Sequence, residues 1–370
     1  MARILITGGA GFIGSHLADE LLHSGHAVKV FDLLCSQVHG AEKQSPEYLN
    51  PDVELVLGDV RDRAAVQRAL QGIDAVYHFA AAVGVGQSMY EVEHYASIND
   101  IGTAVLLEAL IKRPVERLIV ASSMSVYGEG LYRSRRGAIH CAVERSPTQL
   151  RSARWDPLDD EGAALEPIPT PETKTPALSS VYALSKYVQE RMCLMIGRAY
   201  NIPTVALRFF NVYGPRQALS NPYTGVLAIF ASRLLNGKAP LIFEDGEQQR
   251  DFVNVRDVVQ ACRLSLDAAA APDKVLNIGS GQAFTISELA ERMADALGKS
   301  LEPQITGKYR VGDIRHCFAD ITLARSMLGY TPRVSLEDGV LELADWLEGQ
   351  IANDHVDSAS AELAARGLTL

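Results

Sequence analysis

The sequence predicts an α/β fold: a Rossmann-type doubly wound parallel sheet with a smaller C-terminal substrate-binding domain. Three features of the chain lead there. An apolar run, Arg3-Ile4-Leu5-Ile6, enters Thr7-Gly8-Gly9-Ala10-Gly11-Phe12-Ile13-Gly14 and then a helical stretch at 15–22. A second strand, Ala27–Asp32, ends in an acid. Apolar strand-like runs recur at 53–57, 75–79, 117–121 and 204–209, separated by helix-like stretches at 64–70, 98–110 and 182–200. Strands that alternate with helices build parallel sheets covered on both faces.

The first strand, glycine turn and helix predict a dinucleotide cradle. The glycines let the backbone of Gly8, Gly11, Phe12, Ile13 and Gly14 approach a pyrophosphate, whose charge meets the free N–H groups and positive dipole end of the following helix. Spaced glycines also serve ordinary turns, so the second strand matters. Asp32 lies at the distance expected of a carboxylate that binds the adenosine ribose. Its charge repels a 2′-phosphate, and Leu33 and Leu34 supply no cation, so the expected cofactor is NAD rather than NADP.

After residue 210 the alternation weakens. A late strand at 275–278 and a capping box, Thr285-Ile286-Ser287-Glu288, are placed in a second domain. The expected division is 1–206 for NAD, 207–350 mainly for a nucleotide sugar, and 351–370 as a tail. Residues 129–176 hold six of the sixteen prolines and cannot form one regular element. A surface loop, a lid or an oligomer contact are the readings open for this insert.

A chain of 370 residues suits two domains, each able to bury a core. The net charge of −10 points away from nucleic acid and membrane partners and toward a small metabolite. Five cysteines without paired spacing, no leader-like start and no long apolar stretch predict a cytoplasmic protein.

The chemistry is expected at Ser123, Tyr182 and Lys186. Ser122-Ser123 closes a predicted central strand, where open α/β sheets bind ligands. Tyr182 and Lys186 share one helix face at i, i+4. A phenol with a pKa near 10 is a poor base, but a lysine ammonium and an oxidised nicotinamide favour phenolate. Ser123 then holds the reacting hydroxyl for proton transfer. His78 is expected to pack or bond locally. His140 and Cys141 lack the partners of a zinc site, so no metal is expected.

These residues resemble the extended short-chain dehydrogenase/reductases, in particular the NAD-dependent sugar epimerase/dehydratase family, from residue 1 to about 347. The shared motifs include Gly58-Asp59-Val60, His78-Phe79-Ala80-Ala81, Asn99 before Gly102-Thr103, Arg208–Arg216, Gln249-Arg250-Asp251-Phe252-Val253 and Arg310-Val311-Gly312-Asp313. The resemblance implies that Asp59 and Val60 flank the adenine, that Ala80 and Ala81 line the cofactor phosphates and ribose, and that Asn99, Tyr182 and Lys186 border the cofactor. It places Ser123, Ser125, Asn211, Arg250, Arg310 and Asp313 on the side of a nucleotide-diphosphate sugar. Guanidinium groups suit a diphosphate through bidentate, charge-assisted hydrogen bonds. Relatives pair through the helices near 98–110 and 182–200, and Met192, Leu194, Met195 and Ile196 add apolar surface, so a homodimer is expected.

Three classes share this scaffold. A 4-epimerase oxidises the sugar at C4 and returns the hydride to the other face. A 4,6-dehydratase also eliminates water and uses an Asp-Glu pair after the strand-end hydroxyl residue. Here Met124 and Ser125 stand there, and neither carries protons near neutral pH. A non-catalytic NAD sensor is the third class, and the joint presence of Ser123, Tyr182 and Lys186 argues against it. The expected activity is that of a nucleotide-sugar 4-epimerase. The insert, with Trp155 and Pro167-Ile168-Pro169-Thr170-Pro171-Glu172 ahead of Ser180, is similar to that of the dTDP-L-rhamnose 4-epimerases. UDP-hexose and UDP-uronate 4-epimerases are the alternatives.

Overall fold

Seven parallel strands, β1 (Arg3–Thr7), β2 (Ala27–Asp32), β3 (Glu54–Leu57), β4 (Ala75–His78), β5 (Arg117–Ser123), β6 (Thr204–Phe209) and β7 (Val275–Ile278), form the main sheet in the order 7-6-5-4-1-2-3. This computed structural model describes residues 1–40, 44–218, 225–310, 312–347 and 356–369. Val311 of the Arg310–Asp313 motif, and residues 348–355 and 370 around and within the expected tail, lie outside them. The strand order reverses between β1 and β4, the switch point at which such sheets hold ligands.

Side-chain alternation along the strands sends Ile4 and Ile6 to one face and Leu5 to the other. The first face is covered by α1 (Phe12–His23), through Leu17, Ala18 and Leu21, and by Val258, Val259 and Cys262. On the second face, Leu106 and Leu110 of α2 (Gly102–Lys112) and Cys193 and Leu194 of α3 (Val181–Ala199) cover Leu5, Val76, Leu118 and Ala206. Each buried Leu or Ile contributes about 1.5–3 kcal/mol. Ser180 caps α3 by accepting from the Ala183 N–H at 3.1 Å, which fixes where the helix bearing Tyr182 and Lys186 begins.

Two sequence readings change. Val275–Ile278 is the edge strand of the main sheet beside Thr204–Phe209, and α4 (Val255–Asp267) packs against α1, so the chain crosses back after residue 206. Strand pairing is non-local: an apolar run identifies a strand and not the sheet it joins. The insert also contains regular structure. Leu131–Arg133 pairs antiparallel with Ile139–His140 and with Glu166–Ile168, and Pro147–Arg151 forms a short helix behind its Ser146 cap.

A separate apolar cluster of Leu227, Phe230, Leu234, Leu289, Met293, Leu336, Val340 and Leu343 forms the core beyond the sheet. The capping box at Thr285 and Glu288 opens its helix, Ile286–Ala296, as expected. The helix Val356–Ala365 folds back on the molecule: Arg366 lies over the Tyr90 ring at 4.2 Å and Thr369 bridges to Arg310. Among the described residues no helix is long and apolar enough to cross a membrane.

Candidate active site

The carboxyl ends of the central strands deliver Thr7, Asp32, His78 and Ser123 to one edge of the sheet. Each glycine of the turn between β1 and α1 answers a different need. Gly8 has φ +70°, and a Cβ there would come within 2.7 Å of the Ala80 nitrogen. A Cβ at Gly14 would come within 2.6 Å of the Gly8 oxygen, so this glycine lets helix and turn touch. Gly11 is under neither constraint: its φ is −74°, and an added Cβ would meet only the Gly8 oxygen, at 3.4 Å. A bare backbone that the protein does not itself require is left for the approach of a ligand. No side chain caps α1 and no acid occupies its first turn, so the end formed by Phe12, Ile13 and Gly14 keeps its positive dipole for an anion.

Asp32 is held in place by its own surroundings. Its two oxygens accept from the Ala10 N–H at 3.0 Å and the Leu34 N–H at 2.9 Å. Each retains a lone pair for a ribose hydroxyl. Asp59 is drawn to Arg61, whose Nε donates to it at 2.9 Å, and this bond holds its carboxyl below the usual range. Val60 is buried against Gly102, Ala80 borders Gly8, and Ala81 is half-buried beside it. The donor set and the bare cradle fit a dinucleotide.

Ser123 lies beside Tyr182, near enough for its hydroxyl to favour the phenolate. The Ser123 hydroxyl also pairs with Ser125 Oγ at 3.1 Å and accepts from the Ser125 N–H at 3.1 Å. Burial raises the Tyr182 phenol above its ordinary pKa, and the Ser123 hydroxyl pulls it part of the way back. The expected lowering by Lys186 is not found in the protein alone. Only the Ser123 hydroxyl opposes burial at the phenol, and the ammonium is turned to Gln189, donating to Oε1 at 2.8 Å. Burial pushes Lys186 itself down to about 8, against the opposing charges of Cys193 and Glu190.

Lys186 ends a buried polar chain that the sequence did not announce. Gln189 Nε2 donates to Thr103 Oγ1 at 2.9 Å, and His78 lies between Thr103 and Thr7 at 2.8 Å from each hydroxyl. Burial first, and the Lys186 charge second, push His78 down to about 3, so it is neutral and serves as the local bonding group expected of it. Asn99 has a structural partner set of its own. It is fully buried on the π-helical turn Ala96–Ile101, and its amide hydrogens go to Ala82 O at 3.1 Å and Ser185 Oγ at 2.8 Å. Asn99 therefore clamps the loop after Ala80-Ala81 to α3.

One turn further along α3, Glu190 accepts from Ser122 Oγ at 2.7 Å and pairs with Arg208, whose Nη2 lies at 2.7 Å. This buried pair fixes the strand end from behind. The i+3 and i+4 spacing of Gln189 and Glu190 from Lys186 was visible in the sequence, but nothing in it said that this face is interior.

The residues expected on the substrate side are tied to one another by charge and by shared main chain. Arg310 pairs with Asp313 at 3.0 Å and lies over the Phe243 ring at 4.7 Å. Burial opposes ionisation of Asp313, but Arg310, Arg250 and Arg145 together hold its carboxyl below the ordinary value. Arg250 Nη1 donates to the carbonyls of Gln249 at 3.0 Å and Arg315 at 2.8 Å, and Nη2 donates to that of Ile314. Asn211 donates to the carbonyl of Asp251, next to Arg250, at 3.0 Å.

The NAD dependent epimerase/dehydratase family matches residues 4–279. The chain is 36% identical over 353 residues to a dTDP-L-rhamnose 4-epimerase of Burkholderia thailandensis, covering 94% of this chain and 96% of that protein. Among solved structures, the UDP-glucose 4-epimerase of Thermotoga maritima with UDP-glucose has 33% identity and a TM-score of 0.76, covering 94% of this chain and 98% of that one. The UDP-glucose 4-epimerase of Thermus thermophilus in complex with NAD has 31% identity and a TM-score of 0.74, covering 94% and 100%.

Proposed function

We propose that this chain, which belongs to the NAD dependent epimerase/dehydratase family and is an NAD-using nucleotide-sugar epimerase, interconverts dTDP-L-rhamnose and its 4-epimer, dTDP-6-deoxy-L-talose. The observation that carries the reaction class is the strand end Ser123-Met124-Ser125 beside Tyr182: a hydroxyl that favours the phenolate of a neighbouring proton acceptor, with no titratable side chain at 124 or 125. The insert and the 36% identical relative support the deoxysugar. UDP-hexose is the second reading, favoured by the likeness to the Thermotoga maritima enzyme.

The backbone of Gly8 and Gly11–Gly14 would hold the NAD pyrophosphate, Asp32 the adenosine ribose, and Asp59 and Val60 the adenine. Bound NAD supplies a cationic ring that accepts hydride reversibly. Ser123 holds the C4 hydroxyl by a hydrogen bond, and Tyr182, as phenolate, takes its proton and later returns it to the same oxygen. Lys186, fixed by Gln189, keeps a positive charge on the same face of α3 as the phenol. Arg250 and Arg310 hold the diphosphate, so the sugar can present its other face without leaving. Met124 and Ser125 give elimination no acid and no base.

Two further expectations belong to this reading. A homodimer would bury Ile101, just before α2, and Leu184 and Met195 of α3, each about half exposed, although Leu194 is a core residue and not part of that surface. A cytoplasmic setting is consistent with five free thiols.

Incubation with dTDP-L-rhamnose and with UDP-hexoses, with products resolved by NMR, tests the assignment. Conversion of dTDP-L-rhamnose to the talose epimer without accumulation of a keto sugar is expected. Steady formation of a 4-keto-6-deoxy product from a hexose bearing a 6-hydroxyl, seen by its alkaline absorbance, would overturn it.

A further inference from the structure

The insert reaches the substrate-side residues through one buried side chain. The Arg145 side chain is only 4% exposed, and three of its nitrogens are committed to different parts of the chain. Nε lies 3.2 Å from Glu129 Oε1, Nη1 donates to Glu244 Oε1 at 2.7 Å and to the Trp155 carbonyl at 3.3 Å, and Nη2 donates to the Asp313 carbonyl at 2.9 Å. These contacts close a ring. Asp313 pairs with Arg310, Arg310 lies over Phe243, and the next residue, Glu244, returns to Arg145.

A second guanidinium supports the same turn. Arg315, 1% exposed, pairs with Asp156 of the insert at 2.8 Å, with Glu244 at 3.0 Å and with Asp245 at 2.6 Å, while its carbonyl accepts from Arg250. The main-chain N–H of Arg315 donates to Glu129 at 2.9 Å. Both arginines assigned to the diphosphate thus bond to the segment 313–315, whose main chain the insert holds in place.

Resting on the assignment of Arg250, Arg310 and Asp313 to a nucleotide diphosphate, we propose that Arg145 is a positioning residue for that half of the site. The insert is then a working wall of the nucleotide pocket. Arg145 acts in two ways. Its planar fork sets the Asp313 main chain, and with it the Arg310 pair, in one geometry. Its charge also offsets Glu129 and, together with Arg315, Glu244, two carboxylates beside a pocket for an anion. A lysine keeps the charge but cannot span three directions, so the two contributions separate.

The test compares Arg145→Ala and Arg145→Lys with the unmodified protein, using dTDP and UDP as probes in calorimetry, alongside NAD content, thermal midpoint and steady-state kinetics. Arg145→Ala is expected to weaken binding of the preferred diphosphate at least tenfold and to raise KM similarly, with kcat within about threefold and NAD content unchanged. Arg145→Lys, which retains the charge if the alanine variant does not fold, is expected to lie between the two. Unchanged diphosphate binding in either folded variant overturns the proposal. So does a loss spread equally over kcat, NAD content and KM, which marks a merely structural role. Binding of neither probe by the unmodified protein would instead remove the nucleotide-sugar reading, and the proposal with it.

Discussion

The Lys186 ammonium donates to Gln189 Oε1 at 2.8 Å, and both side chains are buried on α3. A charged lysine therefore sits in the interior with a neutral partner, and Gln189 is itself held by Thr103 at 2.9 Å. The site keeps its cation at the expense of folding free energy.

This gives a pH dependence with a defined sign. Burial lowers Lys186 from 10.5 to about 8 in the folded protein, so between these values the unfolded chain binds more protons and stability from this group rises with pH. Below about pH 8 the full penalty, about 3 kcal/mol, is present. Lys186→Met removes it. The variant's stability relative to the parent should fall between pH 7 and pH 10, read from urea midpoints; a constant difference would contradict the buried charge.

Tyr182→Phe keeps the ring against Tyr95, whose centroid lies 6.5 Å away, and removes only the hydroxyl that lies beside Ser123. Turnover should drop roughly 10²–10⁴-fold with the circular dichroism spectrum and NAD content unchanged. Turnover near that of the parent would exclude Tyr182 as the proton carrier.

Asp32→Ala should weaken NAD binding by about 1.5–3 kcal/mol, the worth of hydrogen bonds to a charged group. It also leaves the Ala10 and Leu34 N–H groups without their acceptor, so a small loss of thermal stability should accompany it. Fluorescence titration with NAD and NADP checks both cofactors, and tighter NADP binding by the unmodified protein is the opposing result.

The parts legible in the sequence were those encoded locally. The glycine turn, the strand ends at Asp32 and Ser123, the i, i+4 pair of Tyr182 and Lys186, and the Thr285/Glu288 capping box each depend on residues a few positions apart. What stayed hidden depends on distant partners. Val275–Ile278 joins the main sheet because Thr204–Phe209 is its neighbour in space. Asn99 turns inward because Ala82 and Ser185 satisfy its amide. Arg145 was one of several arginines in a proline-rich stretch, and only the fold reveals that it meets Glu244, a residue 99 positions away.

The exposed apolar residues of α3 give a test of assembly. Leu184 and Met195 are eleven residues apart, about three helical turns, and share one face. Leu184→Arg together with Met195→Arg should convert a dimer into a monomer in sedimentation at micromolar concentration, with little change in the thermal midpoint of the monomer fold. A parent protein that already sediments as a monomer would rule the pairing out.

The distribution of thiols supplies a ready chemical handle. Cys193, Cys262 and Cys317 are enclosed, and burial raises all three, Cys193 and Cys317 to about 12. Cys35 is exposed, but partial burial, and then the charge of Asp32, raise it as well. Cys141 is exposed on the insert, four residues before Arg145. A maleimide dye at neutral pH should therefore attach first at Cys141, so that the native chain, without any engineered cysteine, carries a fluorescent reporter on the segment proposed to brace the diphosphate end of the cleft.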